Sequence, residues 1–375
     1  MTNLIEEKGR RAMKKKKMIM FITMFVMLFL LACSGEAPEI ESEYCTEEPE
    51  VESEYLTEES EIESEYLAEE PEIESEYLTE EPTVIAEPID IDEADWVEIS
   101  LVGQEITNEQ LAEMVRSGEI PENVTHLVLS ANAISDVSPL SNFTYLMELD
   151  LWGNQVNDVS SLGNLTNLRT LNLWGNRFED ISYLRNLAHL TDFTVGDNPR
   201  FNGDLSTLSN FTNLTSLGLS GSAIRDFTSL GDLVNLERLA LWGVGELRDI
   251  SFLANLTSLT CLTVNGGQIN DFSILSTLTN LESLGLQFMY IGDLSSLPLD
   301  RLPNLTSLSL TNLQISDISP LGGLSNLEVL HLQNNQISDI SILSEFENLE
   351  SLILIDNPIT DWSPVDHVPN VLGRP

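Results

Sequence analysis

The chain has 375 residues, with 17 basic side chains against 61 acidic ones and a formal net charge of −44. Seven of the 17 basic residues precede residue 18, and from residue 83 onward ten arginines face 38 acids. A surface of that sign repels phosphates and anionic headgroups, which excludes nucleic acid and peripheral lipid binding as expectations. Three cysteines in unrelated contexts, Cys33, Cys45 and Cys261, do not make a disulfide framework.

Lys14 to Lys17 form a basic run, and the apolar stretch Met18 to Ala32 follows it. That stretch falls short of the roughly 20 residues a membrane-spanning helix needs, but suits the core of a secretion signal. It ends Leu30-Leu31-Ala32-Cys33, which resembles the lipobox of bacterial lipoproteins. The resemblance implies cleavage just before Cys33 and a diacylglyceryl group on its sulfur. Two acyl chains hold a membrane firmly where one does not. Residues 1–32 are therefore expected to be a lipoprotein signal peptide, with Cys33 as the lipidation site and membrane anchor.

Residues 39–82 repeat four times with a period of 11, of which E-I-E-S-E-Y-L-T-E-E-P is typical, and Ser34 to Pro82 holds 21 glutamates with no positive residue. A period of 11 fits three helical turns. Glutamates at i and i+4 repel, however, and proline closes three of the four units. Residues 33–82 therefore read as a lipid-anchored, disordered acidic linker.

Thr107-Asn-Glu-Gln110 carries a capping-box pattern, a helix is expected to about Ser117, and Gly118 can end it. With a strand-like Trp96 to Val102, this segment is expected to be an N-terminal cap spanning 83–123. From Val124 the chain repeats near every 22 residues as L-x-x-L-x-L-x-x-N-x-I-x-D-I-S-x-L-x-x-L-x-N, in eleven units starting at Val124, Leu146, Leu168, Leu190, Leu214, Leu236, Leu259, Leu281, Leu305, Leu327 and Leu349. No unit can bury its leucines alone, so neighbours must stack around one core. The expected fold over 124–375 is a leucine-rich-repeat solenoid, an arc with a parallel β-sheet on its concave face. The asparagine at position nine is expected to satisfy buried backbone groups. An aspartate column from Asp136 to Asp361 is expected to cap convex turns. The asparagine lapses in the middle rungs, where Ser222, Val244, Gly267, Met289 and Leu313 stand instead. Either those turns are satisfied differently or the curvature changes there. After the last full unit, Trp362, Val365 and Val368 promise only thin C-terminal capping.

The unit with I-x-D-I-S-x-L-x-x-L-x-N-L, running over about residues 100–370, resembles the internalin family of bacterial surface proteins. The resemblance implies protein binding on the concave face. No immunoglobulin-like module or cell-wall sorting signal follows the repeats, so host-cell adhesion is not carried over directly.

Positions three, five, seven and eight of each rung face outward on the concave side. Position seven needs no apolar residue, yet it holds Trp152, Trp174 and Trp242. Exposed tryptophans are favoured as interface anchors. Sheet spacing puts Trp152 and Trp174 about 5 Å apart and Trp242 roughly 15 Å further on. Phe288 at position eight extends the stripe, and Asp150, Asn172 and Arg238 supply polar neighbours. Rings beside carboxylates also suit sugars, which keeps a wall-polymer or host-glycan ligand as the alternative. Cys261 is expected to be an exposed free thiol. His126, His189, His331 and His367 lie on separate rungs without metal-ligand spacing, and no catalytic motif is present. The reading is of a monomer without enzymatic activity, cofactor or metal, outside the membrane of a bacterium and binding an extracellular or cell-envelope protein.

Overall fold

The computed structural model describes residues 95–374 apart from Ser222. The expected signal segment, Cys33, Cys45 and the acidic linker lie outside the described residues. Among the described residues no helix is long and apolar enough to cross a membrane.

The leucine spacing dictates the architecture. Leu168, Leu171 and Leu173 are fully buried, and the same positions are buried in rung after rung. Because alternate residues of a strand face opposite ways, the residues between these leucines are turned outward. Thirteen strands, all parallel and in sequence order, form one sheet among the described residues. They are β1 (Glu98–Ser100), β2 (His126–Val128), β3 (Glu148–Asp150), β4 (Thr170–Asn172), β5 (Asp192–Val195), β6 (Ser216–Ser220) and β7 (Arg238–Trp242). The sheet continues through β8 (Cys261–Asn265), β9 (Ser283–Gln287), β10 (Ser307–Thr311), β11 (Val329–His331), β12 (Ser351–Ile353) and β13 (Asn370–Leu372). Short 3-10 turns return the chain along the convex side. This is the expected leucine-rich-repeat solenoid.

Eleven strands, β2 to β12, belong to the eleven units read from the sequence. β1 pairs with β2 and, with helix α1 (Asn108–Ser117), covers the first rung. α1 starts as expected: the Thr107 hydroxyl accepts from the Gln110 amide while the Gln110 side chain accepts from the Thr107 amide. Gly118, at φ 78°, ends it in the left-handed conformation. At the other end, β13 is a strand the leucine pattern did not show. Val365 and Val368 are buried there, and Arg374 donates to the Val365 carbonyl at 2.8 Å.

Two polar columns tie the rungs together. Asn176 Oδ1 accepts the Val156 amide of the rung before at 2.9 Å, and its Nδ2 donates to the carbonyls of Leu151 and Leu173. Asn132, Asn154, Asn335 and Asn357 repeat this arrangement. Asn198, the last before the lapse, keeps its donor bonds but leaves Oδ1 buried without a partner.

Where the asparagine lapses, the strands lengthen. β6 to β10 run five residues each, whereas β2, β3, β4, β11 and β12 run three. The longer strands pair as far as Ser220↔Trp242, Asn265↔Gln287 and Gln287↔Thr311. The neighbouring strand pairs over those positions, while turn amides such as Ile224 and Leu247 donate within their own turn, to Gly221 and Val244. The inward slot is then free for apolar groups, and Val244, Met289 and Leu313 are buried in it. Those turns are satisfied differently, by a longer sheet.

On the convex side all eleven aspartates of the column accept the amide two residues ahead, at 2.7 to 3.0 Å, as Asp158 does from Ser160 and Asp339 from Ser341. The column caps turns, as expected. Asp204, Asp293 and Asp339 are held below the usual carboxylate range by that amide first and then by the hydroxyl of the same serine. For Asp226, Asp271 and Asp361 the hydroxyl leads and the amide follows.

A depressed folded-state pKa contributes stability that is complete above the unfolded value, about 3.9, and is lost as pH falls below it. Asparagine keeps the accepting oxygen but cannot be protonated in this range. The triple variant Asp226→Asn, Asp271→Asn, Asp339→Asn is therefore expected to lose less melting temperature than the parent between pH 4 and pH 2.5, while the single Asp226→Ala melts lower even at neutral pH. Thermal melts followed by circular dichroism check both. Parallel acid limbs for parent and triple variant contradict the assignment.

Candidate binding face

The outward residues of β3 to β9 form the surface that the sequence singled out. The three tryptophans do not stand as an exposed stripe. Trp152 and Trp242 are half-buried, and Trp174 is only 8% exposed. Trp174 and Trp242, three rungs apart, meet edge-to-face with ring centroids 5.2 Å apart, where strand spacing alone suggested about 15 Å. Between them lie the outward positions of β5 and β6, which carry Gly196, Gly218 and Ser220. A Cβ at Gly196 would come within 2.7 Å of Trp174 Cζ3 and 2.5 Å of Ser220 Cβ. A Cβ at Gly218 would come within 3.1 Å of Trp242 Cζ3. The two indoles thus lean toward each other over a floor of glycine and small side chains. Strand spacing fixes where a side chain begins; the glycines decide how far it leans.

The polar neighbours have local duties. Asp150 Oδ1 accepts the Trp152 amide at 2.8 Å, and Asn172 Oδ1 accepts the Trp174 amide at 3.2 Å. Both side chains turn the backbone into the tryptophan two residues on. Burial pushes the Asp150 carboxyl above its ordinary value. The Trp152 amide opposes that rise, Glu148 beside it adds to it, and Asn172 opposes it further. Arg238 Nη2 lies 3.4 Å from Asp192 Oδ1, bridging β7 and β5 past the small Ser216. Further along, Asn265 donates to Gln287 and Gln287 to Ser309 from rung to rung at 3.4 to 3.5 Å, and Ser309 bonds Thr311 within β10 at 3.2 Å. His331 on β11 is kept neutral by burial, which lowers its pKa to about 4.

Phe288 is not continuous with the tryptophans. It sits on the turn after β9 and is 52% exposed. Tyr290, which the repeat reading passed over, is 72% exposed on the same turn. Cys261 is not exposed as expected: its side chain is only 3% exposed. Among the described residues no group of three or more histidines, cysteines or acids is placed to hold a metal.

The parallel sheet, the convex turns and the asparagine column define a leucine-rich-repeat protein. A sequence profile described as "Leucine Rich repeats (2 copies)" matches residues 146–189, 303–345 and 325–367. Among solved structures, an internalin (inlF) from Listeria monocytogenes str. 4b F2365 is 32% identical, with a TM-score of 0.59 over 74% of this chain and 86% of that one. The chain belongs to the internalin family of leucine-rich-repeat proteins. The ectodomain of the Arabidopsis thaliana membrane receptor kinase GASSHO1/SCHENGEN3, solved in complex with CASPARIAN STRIP INTEGRITY FACTOR 2, shares the fold at 21% identity, with a TM-score of 0.50 over 73% of this chain and 38% of that one. No curated protein matches the sequence.

Gly196→Ala is expected to force the Trp174 ring and the Ser220 backbone apart. Overpacking of this kind costs about 1–3 kcal/mol. A lower melting temperature together with a weakened tryptophan signal in near-ultraviolet circular dichroism would bear this out. An unchanged signal would show that the indoles do not need the glycine floor.

Proposed function

We propose that this chain is a non-catalytic protein-binding module, held outside a bacterial membrane by a lipidated Cys33 and presenting the concave face of its repeat arc. One observation carries the binding reading: Trp152, Trp242, Asp150, Asn172 and Arg238 face outward from a sheet whose core is already filled by leucine. Large aromatic surface that the core does not require favours a macromolecular contact. Trp174 serves by backing Trp242. Membership of the internalin family and the partner held by the Arabidopsis ectodomain support the reading by analogy of fold. The basic run, apolar core and Leu30-Leu31-Ala32-Cys33 sequence support the anchor. The acidic segment that follows supports a spacer between membrane and arc, and the high negative charge favours a monomer.

The anchor and the face are tested separately. Cys33→Ala is expected to move the protein from the membrane fraction to the medium, or to leave it unprocessed. Retention on membranes with the same mature N-terminus defeats the lipid assignment. For the face, the double variant Trp152→Ala, Trp242→Ala is expected to weaken binding to a purified extracellular or envelope protein by tenfold or more, about 1.4 kcal/mol, with folding intact. Binding that is abolished by glycan competition or wall digestion instead supports a wall-polymer or host-glycan ligand.

A further inference from the structure

Position eight of each rung is where the chain leaves the sheet, and in ten rungs it is left-handed. Nine of those rungs place glycine, asparagine, aspartate or, once, alanine there, the small residues that tolerate that conformation. The tenth is Phe288, at φ 54°. A bulky side chain costs conformational free energy in this region. Burial returns little of it, because half of the Phe288 surface is exposed.

The local sequence explains how the ring is held out. Met289 occupies the inward slot that asparagine takes in the regular rungs and is 7% exposed, so its neighbours on both sides are turned outward. The Phe288 amide donates to the Thr311 carbonyl at 3.1 Å, which pins the turn to the next rung. Tyr290 folds back over Gly292, itself left-handed at φ 73°, where any Cβ would come within 3.2 Å of the phenol oxygen. Two aromatic rings are thus presented by a fixed backbone.

The stretch of chain around them is predominantly acidic. Between Arg248 and Arg374 there are 14 acidic residues and a single Arg or Lys, Arg301. On the same rung and on the rungs either side, Asp271, Asp293 and Asp317 cap the convex turns that follow. A second copy of this chain would bring the same negative charge to the contact, which disfavours self-association.

We propose that Phe288 and Tyr290 form an anchor for a cationic segment of a protein partner. An arginine or lysine side chain lies over the rings, and the net negative charge of this half of the repeats favours its approach. This rests on the protein-binding reading above and moves the principal anchor from the tryptophans to the edge of the arc.

The test uses the full chain and an arginine–glycine alternating peptide that ends in a photoreactive benzophenone, with crosslinks mapped by mass spectrometry. Crosslinks are expected in residues 283–296. They are expected to fall about fivefold in the double variant Phe288→Gly, Tyr290→Ala, and to persist in Tyr183→Ala, which removes an exposed ring elsewhere. Glycine is at ease at position eight, so Phe288→Gly alone should melt no lower than the parent while showing fewer crosslinks. Crosslinks confined to the acidic segment 34–82, or unchanged in the double variant, overturn the proposal. A dimer in sedimentation that Tyr290→Ala disperses overturns the cationic assignment in favour of a second copy. Partner binding that survives the double variant but fails in Trp152→Ala, Trp242→Ala overturns this anchor alone and leaves the protein-binding reading standing.

Discussion

Backbone groups at the exits of the strands have to be paired without water, because leucines from adjacent rungs close over them. An unpaired buried amide or carbonyl costs about as much as several well-made hydrogen bonds return. This chain meets the demand in two ways. Asparagine at position nine serves three or four such groups from one side chain, as Asn176 does, and lets the strand stop after three residues. Without asparagine, the strand runs on for two more residues and its neighbour does the pairing. The second solution frees the inward slot for Val244, Met289 or Leu313 and changes what stands at the rim.

The features of interest for binding follow from that choice. Extended middle strands place more outward residues in sheet register, and several outward positions here are glycine: Gly218 in β6, Gly285 in β9 and Gly196 just after β5. Trp174 and Trp242 can then lean across and meet edge-to-face, although they start three rungs apart. In the rung of β9, an apolar plug at Met289 leaves Phe288 and Tyr290 facing solvent. The aspartate column is independent of all this. It closes each convex turn identically in regular and irregular rungs, which keeps the repeat in step while the concave side varies.

Much of the fold was legible because it rests on periodicity. The eleven leucine triplets, the Thr107 cap with its Gly118 stop, and the duties of asparagine and aspartate all follow from local chemistry at fixed spacing. The thirteenth strand was not read because valine, Val371, stands at its inward position instead of leucine. Its only signal is that Val365, Val368 and Val371 continue the three-residue spacing seen in Leu343, Phe346 and Leu349. The site was less legible, for a different reason. Which residues face outward follows from alternation, but how far a tryptophan leans depends on what the next two rungs lack. Cys261 likewise looked exposed from its position, and is buried. Phe288 did carry a readable signal, since a phenylalanine stands where other rungs keep residues suited to the left-handed conformation.

The account depends most on the claim that each rung's backbone is completed by its neighbours, by asparagine in one set of rungs and by longer pairing in the other. Native-state hydrogen exchange on Asn176→Ala tests it most directly. The account predicts lost protection at the Val156 amide and in the rungs of β3 and β4, with a stability loss of about 1–3 kcal/mol and unchanged protection in β7 to β9. Protection at Val156 equal to that of the parent, or a loss spread evenly along the arc, would contradict it.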